Sequence, residues 1–192
     1  GIGDDMPVIG FIGRLVMEKG LDVFSDTIDQ LAARQVAHKV LVVGEGPARE
    51  WFQNRLPDAI FTGFQQGADL GRAVASMDML FNPSVTETFG NVTLEAMACG
   101  VPTVAARATG SESLLSDRVT GRLIRPGAIG AFADALQYYC VDTAARAAAG
   151  QAAQQRAERN GWDQVNQALV DTYLRVIRQR AQGLAPRSSP VP

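Results

Sequence analysis

The sequence predicts a doubly wound α/β fold, in which a parallel sheet of about six strands carries helices on both faces. Short apolar runs alternate with helix-length amphipathic segments from residue 8 to about residue 140. The runs are nearly continuous in apolar residues, and the composition, 46% hydrophobic and 20% charged, is that of a globular protein. Alternating strands and helices form parallel sheets that are covered on both faces, and their ligands bind beyond the carboxyl ends of the strands.

Each strand is predicted from a short apolar run, and each helix from amphipathic spacing or helix-forming residues between two runs. The strands are expected at residues 8–12, 39–43, 59–62, 79–82, 102–105 and 122–124. The helices between them are expected at residues 21–35, 47–56, 67–76, 91–99 and 110–116. The extra C-terminal helices are expected at residues 128–140, 143–159 and 163–181.

The change to a wholly helical pattern divides the chain. Residues 1–142 are expected to form a Rossmann-like domain, residues 143–182 a set of C-terminal helices, and residues 183–192 a disordered tail without apolar periodicity. Because the chain begins directly before a strand, we expect it to be a piece of a longer protein. The last helix carries an apolar stripe that needs a packing partner, formed by Val165, Leu169, Tyr173, Val176 and Ile177.

Composition argues against several classes of protein. The net charge of −2 argues against nucleic acid as a partner. Residues 143–192 nevertheless hold seven arginines against three acidic residues, which could face a membrane or an acidic partner, or form a solvated helix face. Cys99 and Cys140 make no disulfide framework and are expected to be reduced in the core, as in the cytoplasm. The single histidine, His38, excludes a multi-histidine metal site, and no signal peptide or 18-residue apolar span is present.

The first strand leads into GRLVMEKG at residues 13–20, where a dinucleotide-binding protein would have G-x-G-x-x-G. Instead of three glycines, this turn supplies Arg14 and Lys19. Cations neutralise a pyrophosphate directly, and an arginine can bind one through two parallel hydrogen bonds. An exposed turn whose charges serve only solubility is the alternative.

Two acidic residues, Glu87 and Glu95, lie on either side of a predicted helix start. The helix at 91–99 is expected to be buried, because apolar side chains occur all round it. Glu95 lies inside it, and a buried carboxylate is costly unless it meets a cation or accepts hydrogen bonds, for example from a ribose diol. Glu87 precedes the helix, so the two carboxylates do not share a helical face. Each is expected to hold a different part of one ligand, although Glu87 could instead be a cap or a salt-bridge partner.

Gly90 and Asn91 mark the start of that helix, where free backbone N–H groups and the helix dipole favour an anion. No Asp-rich or His-rich set is available for a divalent metal, so phosphate neutralisation should fall to the two cations and this helix terminus. The turns VVGEGP at 42–47, IFTGF at 60–64 and ATGSES at 108–113 are weaker candidates, because ordinary turn and capping chemistry explains them nearly as well.

Four segments in this order and spacing, GRLVMEKG, VVGEGP, TETFGNVTLEAMACGVPTVA and VTGRLIRPG, resemble the donor-binding half of the family 4 glycosyltransferases. These are the retaining group 1 enzymes of the GT-B fold, and the resemblance covers residues 8 to about 180. It implies one half of a GT-B fold, with a nucleotide-sugar-binding domain over 1–142. The helices at 143–182 would include the helix that, in these enzymes, crosses back onto the N-terminal acceptor domain. That domain would be absent from this chain.

The resemblance also implies roles for single residues. Arg14 and Lys19 would grip the diphosphate and stabilise it as the leaving group, Glu95 would accept the ribose hydroxyls, and Glu87 would hold the donor sugar. The catalytic residues implied are Arg14, Lys19 and Glu87. The residues implied in binding the nucleotide sugar are Gly13, Gly44, Gly46, Phe61, Gly63, Phe89, Gly90, Asn91, Val92 and Glu95. Thr109-Gly110-Ser111 departs from the Gly-Gly of many members.

By the same resemblance, the enzyme would transfer a sugar from GDP-mannose or a UDP-hexose to a sugar or lipid acceptor without a metal or cofactor. The stretch FNPSVTETFGNVTLEAMA resembles mannosyltransferase-like members, which favours GDP-mannose. A cytoplasmic location is expected, with possible peripheral association at the inner face of the membrane.

Three alternatives stand beside this prediction. A dinucleotide-binding oxidoreductase should have a glycine-rich first turn and an acidic residue about 20 residues later, which the chain lacks. A non-catalytic nucleotide-binding module of the same fold would keep the binding residues without turnover. An epimerase or a phosphorylase on the same scaffold is a related possibility, although the lysine context of a phosphorylase cofactor is not seen.

Overall fold

A computed structural model describes residues 6–86 and 88–181. A six-stranded parallel sheet is present in the order β3-β2-β1-β4-β5-β6. The strands are β1 (Val8–Ile12), β2 (Lys39–Val43), β3 (Ile60–Gly63), β4 (Met79–Asn82), β5 (Thr103–Ala106) and β6 (Gly121–Ile124). The helices are α1 (Leu21–Ala33), α2 (Arg49–Arg55), α3 (Gly67–Ala75), α4 (Asn91–Ala98), α5 (Thr109–Leu114), α6 (Ile129–Val141), α7 (Thr143–Ala157) and α8 (Trp162–Ala181).

The two faces of the sheet carry different helices. Because successive side chains of a strand point to opposite faces, Ile9 and Phe11 of β1 join α1, α2 and α6 in one core, whereas Val8 packs with α3 and α4 on the other face. In the larger core, the ring of Phe24 lies 5.6 Å from that of Phe11, 5.5 Å from Phe52 and 4.9 Å from Phe81, centre to centre. The predicted doubly wound α/β fold is confirmed.

The chain divides into two compact units, one that ends at Ala157 and one that begins at Glu158. Helix α7 belongs to the first unit, because it packs against α4 through Gly150, where any side chain would overlap the Gly100 carbonyl oxygen. The predicted boundary at 142/143 therefore lies inside the first compact unit. The predicted tail at 183–192 lies outside the described residues.

The second unit contains α8. The exposed fractions of Leu169, Tyr173 and Ile177 in its predicted apolar stripe are 49%, 60% and 62%. Among the helices of residues 6–86 and 88–181, none combines the length and the apolar character needed to cross a membrane.

Two sequence expectations about α4 were wrong. The helix is not buried all round: Thr93, Ala96 and Met97 face the protein, whereas Ala98 is exposed. Cys99, which caps the helix, is also exposed rather than in the core, and Cys140 is only partly buried. The differences on α4 arise because the side of the helix that carries Asn91, Ala98 and Cys99 faces solvent, whereas Cys140 lies on α6 and packs against the larger core. Small residues on that side of α4 cost little when exposed.

Candidate functional site

A cavity of about 460 Å³ lies at the carboxyl ends of β1, β2 and β3. The strand order changes direction between β1 and β4, and ligands of doubly wound folds bind beside that point. Helix α4, which follows β4, closes the cavity on this side. The residues that line it are Ile12, Gly13, Arg14, Val43, Gly44, Glu45, Phe64, Gln65, Leu70, Val92 and Glu95. Five of these were predicted as site residues, namely Gly13, Arg14, Gly44, Val92 and Glu95.

The turn after β1 brings a cation to the cavity. Gly13 has a φ of +149° and donates its N–H to the Val43 carbonyl oxygen at 3.0 Å. The next side chain, Arg14, is 66% exposed and forms a 2.8 Å ion pair with Glu18. Exposed pairs of this kind contribute little to stability, so Arg14 can exchange the carboxylate for another anion at small cost.

Lys19 ends a short 3-10 turn at Met17–Lys19 and is half-buried. The following residue, Gly20, is left-handed with a φ of +73° and lies against Pro83, since an added Cβ would be 3.2 Å from the Pro83 carbonyl oxygen. This contact holds the Lys19 turn against the loop between β4 and α4. Glu87, the third predicted catalytic residue, belongs to that loop but lies outside the described residues.

Glycines in the turn after β2 allow the turns to pack on one another. A Cβ on Gly44, whose φ is +144°, would overlap the Gly13 carbonyl oxygen, and one on Gly46 would overlap the backbone of Leu15. The Gly44 N–H donates to the Gly63 carbonyl oxygen at 2.9 Å. Gly44 therefore joins the turns after β1, β2 and β3, a role that the sequence did not reveal.

The turn after β3 presents a different aromatic residue from the predicted one. The Phe61 ring packs 5.8 Å from that of Phe52, with the Arg49 guanidinium 6.0 Å above its centre, so only the Phe61 backbone could meet a ligand at the strand end. Phe64 is 69% exposed and lines the cavity. Beside it, the Gln65 amide donates to the Thr62 carbonyl oxygen at 3.0 Å.

A buried asparagine organises the loop between β4 and α4. The Asn82 side-chain oxygen accepts the Ser84 N–H at 3.2 Å, and its amide nitrogen donates to the Thr93 hydroxyl at 3.4 Å. The Ser84 hydroxyl continues the network to the Thr86 hydroxyl at 3.2 Å. Asn82 thereby ties the loop to α4. Sequence analysis missed it, although a polar residue that ends an apolar strand was a usable signal.

The amino end of α4 has the geometry of an anion site. Gly90 precedes the helix with a φ of +88°, and the first intrahelical hydrogen bond runs from the Leu94 N–H to the Gly90 carbonyl oxygen at 3.0 Å. The N–H groups of residues 91–93 therefore have no acceptor within the helix. Phe89 and Asn91 are exposed, and Val92 lines the cavity. A side chain on Gly90 would lie 3.2 Å from Leu114 of α5, so this glycine also serves packing.

Glu95 places a carboxylate in the same cavity, one helical turn from Val92. It is half-buried, and within residues 6–86 and 88–181 its carboxylate has no hydrogen-bond or ion-pair partner. Partial burial raises the pKa of Glu95, because the charged form loses solvation. Hydroxyl donors from a ligand would restore the lost hydrogen bonds.

Because the pKa of Glu95 is raised, Glu95→Gln should stabilise the ligand-free protein at neutral pH, although it should weaken ligand binding. A carboxyl whose folded-state pKa is raised stabilises the fold fully below its unfolded pKa, about 4.3, and loses that contribution as the pH rises through the folded value. Glu95→Gln should therefore raise the melting temperature of the ligand-free protein at pH 7 and leave it unchanged near pH 3. Thermal melts at both pH values test this. The exposed Glu50 of α2 supplies the control, since Glu50→Gln should not raise the melting temperature.

Residues 6–86 and 88–181 contain no group of three or more His, Cys, Asp or Glu side chains placed to hold a metal ion. The groups suited to an anion at this end of the sheet are Arg14, Lys19 and the amino end of α4. The groups suited to hydroxyls and to an apolar ring are Glu95 and Phe64.

Comparison with known proteins gives the family. The family described as "Glycosyl transferases group 1" matches residues 6–142. A GDP-mannose-dependent alpha-mannosyltransferase from Mycolicibacterium smegmatis is 35% identical over 178 residues, which cover 93% of this chain and 46% of that protein.

Two solved structures have the same fold. HepE from Anabaena in complex with UDP matches with a TM-score of 0.76 at 30% identity, over 88% of this chain and 49% of that one. Sucrose-phosphate synthase from Thermosynechococcus elongatus matches with a TM-score of 0.79 at 24% identity, over 92% of this chain and 47% of that one. The chain thus spans less than half the length of each of these three relatives. Because the family match covers most of its residues, the chain belongs to the group 1 glycosyl transferases.

Proposed function

We propose that this chain is the donor-binding domain of a retaining family 4 glycosyltransferase, which transfers a sugar from a nucleotide diphosphate sugar to a sugar or lipid acceptor. One observation carries the proposal: a single cavity at the strand ends contains both Arg14 and the Glu95 carboxylate, which has no partner within the described residues. A nucleotide diphosphate combines an anion with a vicinal diol, and the two side chains match those two groups.

The donor would lie across the carboxyl ends of the strands. Its diphosphate would meet Arg14, Lys19 and the N–H groups at the start of α4, and its ribose would meet Glu95. The nucleobase would lie near Phe64 and the turn at Gly44. Glu87 would hold hydroxyls of the donor sugar, as the family resemblance implies.

The proposed chemistry depends on charge stabilisation at the diphosphate. When the bond between the sugar and the diphosphate breaks, the leaving group gains negative charge. Arg14 and Lys19 would neutralise this negative charge, and the positive end of the α4 dipole would stabilise it further. With these groups in place, we expect the reaction to need no metal ion or cofactor.

The donor is proposed to be GDP-mannose. The support is the 35% identity with the mannosyltransferase from Mycolicibacterium smegmatis, whose name specifies GDP-mannose. A UDP-hexose is the second candidate, because HepE, 30% identical, was solved with UDP. A purine ring offers Phe64 a larger stacking area than uracil does.

Calorimetric titration of the chain with GDP and with UDP, in buffer containing EDTA, tests the proposal. One nucleotide should bind, and Glu95→Ala should lower the affinity for it about tenfold or more, since hydrogen bonds to a charged group are lost. Glu50→Ala provides the matched control and should bind like the unmodified protein. Unchanged affinity in Glu95→Ala would place the nucleotide elsewhere.

The 192-residue chain alone is expected to bind nucleotide but to transfer no sugar. It spans less than half the length of the mannosyltransferase and of HepE, so we propose that acceptor contacts come from residues beyond it. Incubation with GDP-mannose and a panel of sugar and lipid acceptors, followed by mass spectrometry, checks this. A glycosylated product would show that this chain contains an acceptor site. If the protein is instead a non-catalytic module, the full-length protein should also form no glycosylated product.

A further inference from the structure

A second cavity, of about 650 Å³, lies between β6, the turn before it, and the helices α6 and α7. Strand β6 is at the edge of the sheet. Arg118 lies in the turn that enters β6, so the cavity is at the amino end of the strands. The cavity that contains Arg14 and Glu95, named the donor cavity after its proposed ligand, is at their carboxyl ends, and the two cavities share no lining residue.

Two arginines give this cavity a positive charge, and none of the described residues that line it carries a carboxylate. Arg118 is exposed and forms no ion pair within residues 6–86 and 88–181. Among the described residues, the buried Arg122 Nε has no hydrogen-bond partner, and a carboxylate oxygen of Asp117 is 3.9 Å away. That carboxylate is already engaged, because it accepts the Leu123 N–H at 2.9 Å and lies 3.7 Å from Arg107. Asp117 therefore neutralises Arg122 only in part.

A buried tyrosine adds a hydrogen-bond donor. Tyr139 is 2% exposed and lines the cavity, yet no partner of its hydroxyl is found in the described part of the chain. Burial raises the pKa of Tyr139 to about 12, although the nearby Arg122 acts in the opposite direction. The hydroxyl is therefore protonated at neutral pH and can donate. The hydroxyl is not fully enclosed, so it can donate a hydrogen bond to a ligand oxygen in the cavity.

The remaining wall suits an organic group. Four alanines of α7, among them Ala149, give it a smooth apolar surface, and the ring of Tyr138 is 45% exposed at its edge. The volume falls within the range of small-molecule sites.

We propose that this cavity binds a phosphate monoester, with the phosphate between Arg118, Arg122 and the Tyr139 hydroxyl, and the esterified group on the α7 wall. Guanidinium groups bind phosphate through paired hydrogen bonds, which favours phosphate over a carboxylate of single charge. The phosphate belongs to a small soluble ester or to a lipid headgroup. The site does not depend on nucleotide binding at the donor cavity.

Amide chemical shifts in a nitrogen-15 NMR titration with glycerol 3-phosphate locate the binding. Shifts at residues 117–122 and 138–149 are expected, and they should persist in Arg14→Gln, which removes one of the two cations proposed to bind phosphate at the donor cavity. Shifts confined to residues 13–20 and 90–94 would instead show phosphate at the donor cavity alone and would overturn the proposal unless the vesicle assay below succeeds.

Variants separate the parts of the site. The double variant Arg118→Gln/Arg122→Gln should weaken binding about tenfold or more, because it removes both charge-assisted contacts. Tyr139→Phe keeps the core packing and should weaken binding a few-fold. Arg72→Gln, on the exposed side of α3, should bind like the unmodified chain. Equal affinity in the double variant, with a circular dichroism spectrum that shows it folded, would overturn the proposal.

Sedimentation with vesicles distinguishes the two sources of phosphate. If glycerol 3-phosphate shifts the cavity residues, a soluble ester is the ligand. If it does not, vesicles containing phosphatidic acid should sediment the unmodified chain but not the double variant, and phosphatidylcholine vesicles should sediment neither. Absence of both responses overturns the proposal.

Discussion

Gly44→Ala should destabilise the protein by roughly 3 kcal/mol or more, because strain at a left-handed residue and steric overlap each cost about 1–3 kcal/mol. Gly44 has a φ of +144°, and its added Cβ would overlap the backbone oxygen of Gly13, which cannot rotate away as a side chain could. The turns after β1 and β2 would have to separate. For a chain of this size, the melting temperature should fall by roughly 6–12 °C.

The same variant should also weaken nucleotide binding at a temperature where it is fully folded. Gly13, Arg14 and Gly44 all line the donor cavity, so separating their turns moves the cation away from the Glu95 carboxylate. Differential scanning calorimetry and titration at 10 °C measure the two effects.

Gly71→Ala is the matched control for Gly44→Ala. Gly71 lies within α3, has no positive φ, and an added Cβ would meet nothing within 4 Å. Because alanine favours helices over glycine, this change should leave the melting temperature equal or slightly higher. If Gly44→Ala melted like Gly71→Ala, the packing of the two turns would not depend on a glycine at position 44.

The positions of the strands could be predicted from the sequence because their signal is local. Each strand is a short run rich in apolar residues, and all but β3, whose Ile60 and Thr62 are exposed, are largely buried. Every predicted strand agrees with the structure to within one residue at each end. Helix ends differ by up to two residues, as expected where capping interactions decide them. The location of Arg14 and Glu95 in one cavity follows from the same pattern, because parallel strands end at one edge of the sheet.

Other features could not be predicted, because contacts between distant residues decide them. Phe61 lies in β3 and Phe64 in the turn that follows, and the sequence does not show which of the two rings faces the ligand end. The pairing of β2 with β3 shifts register between Val42 and Val43, and Phe61 then packs into the core while Phe64 lines the cavity. The polar network of Asn82 likewise depends on Thr93, 11 residues away.

Arg14→Gln should weaken binding of the nucleotide diphosphate by about 10- to 100-fold, because a hydrogen bond to a charged group contributes about 1.5–3 kcal/mol. Glutamine keeps a hydrogen-bonding side chain at the cavity but removes the charge. The affinity for the corresponding nucleoside, which has no phosphate, should not change. The ratio of the two affinities, measured by calorimetry, therefore isolates the contact with the diphosphate.

Arg72→Gln controls for the loss of an exposed arginine. Arg72 forms an ion pair with Asp69 and is 72% exposed, close to the 66% of Arg14, but it lies on α3 and does not line the cavity. Its loss should leave both affinities unchanged. Raising the salt concentration should reduce binding to the unmodified protein more than binding to Arg14→Gln, because screening acts on the charge that the variant lacks. If Arg14→Gln weakened binding of the nucleoside as much as binding of the nucleotide, Arg14 would support the shape of the cavity instead of binding the diphosphate.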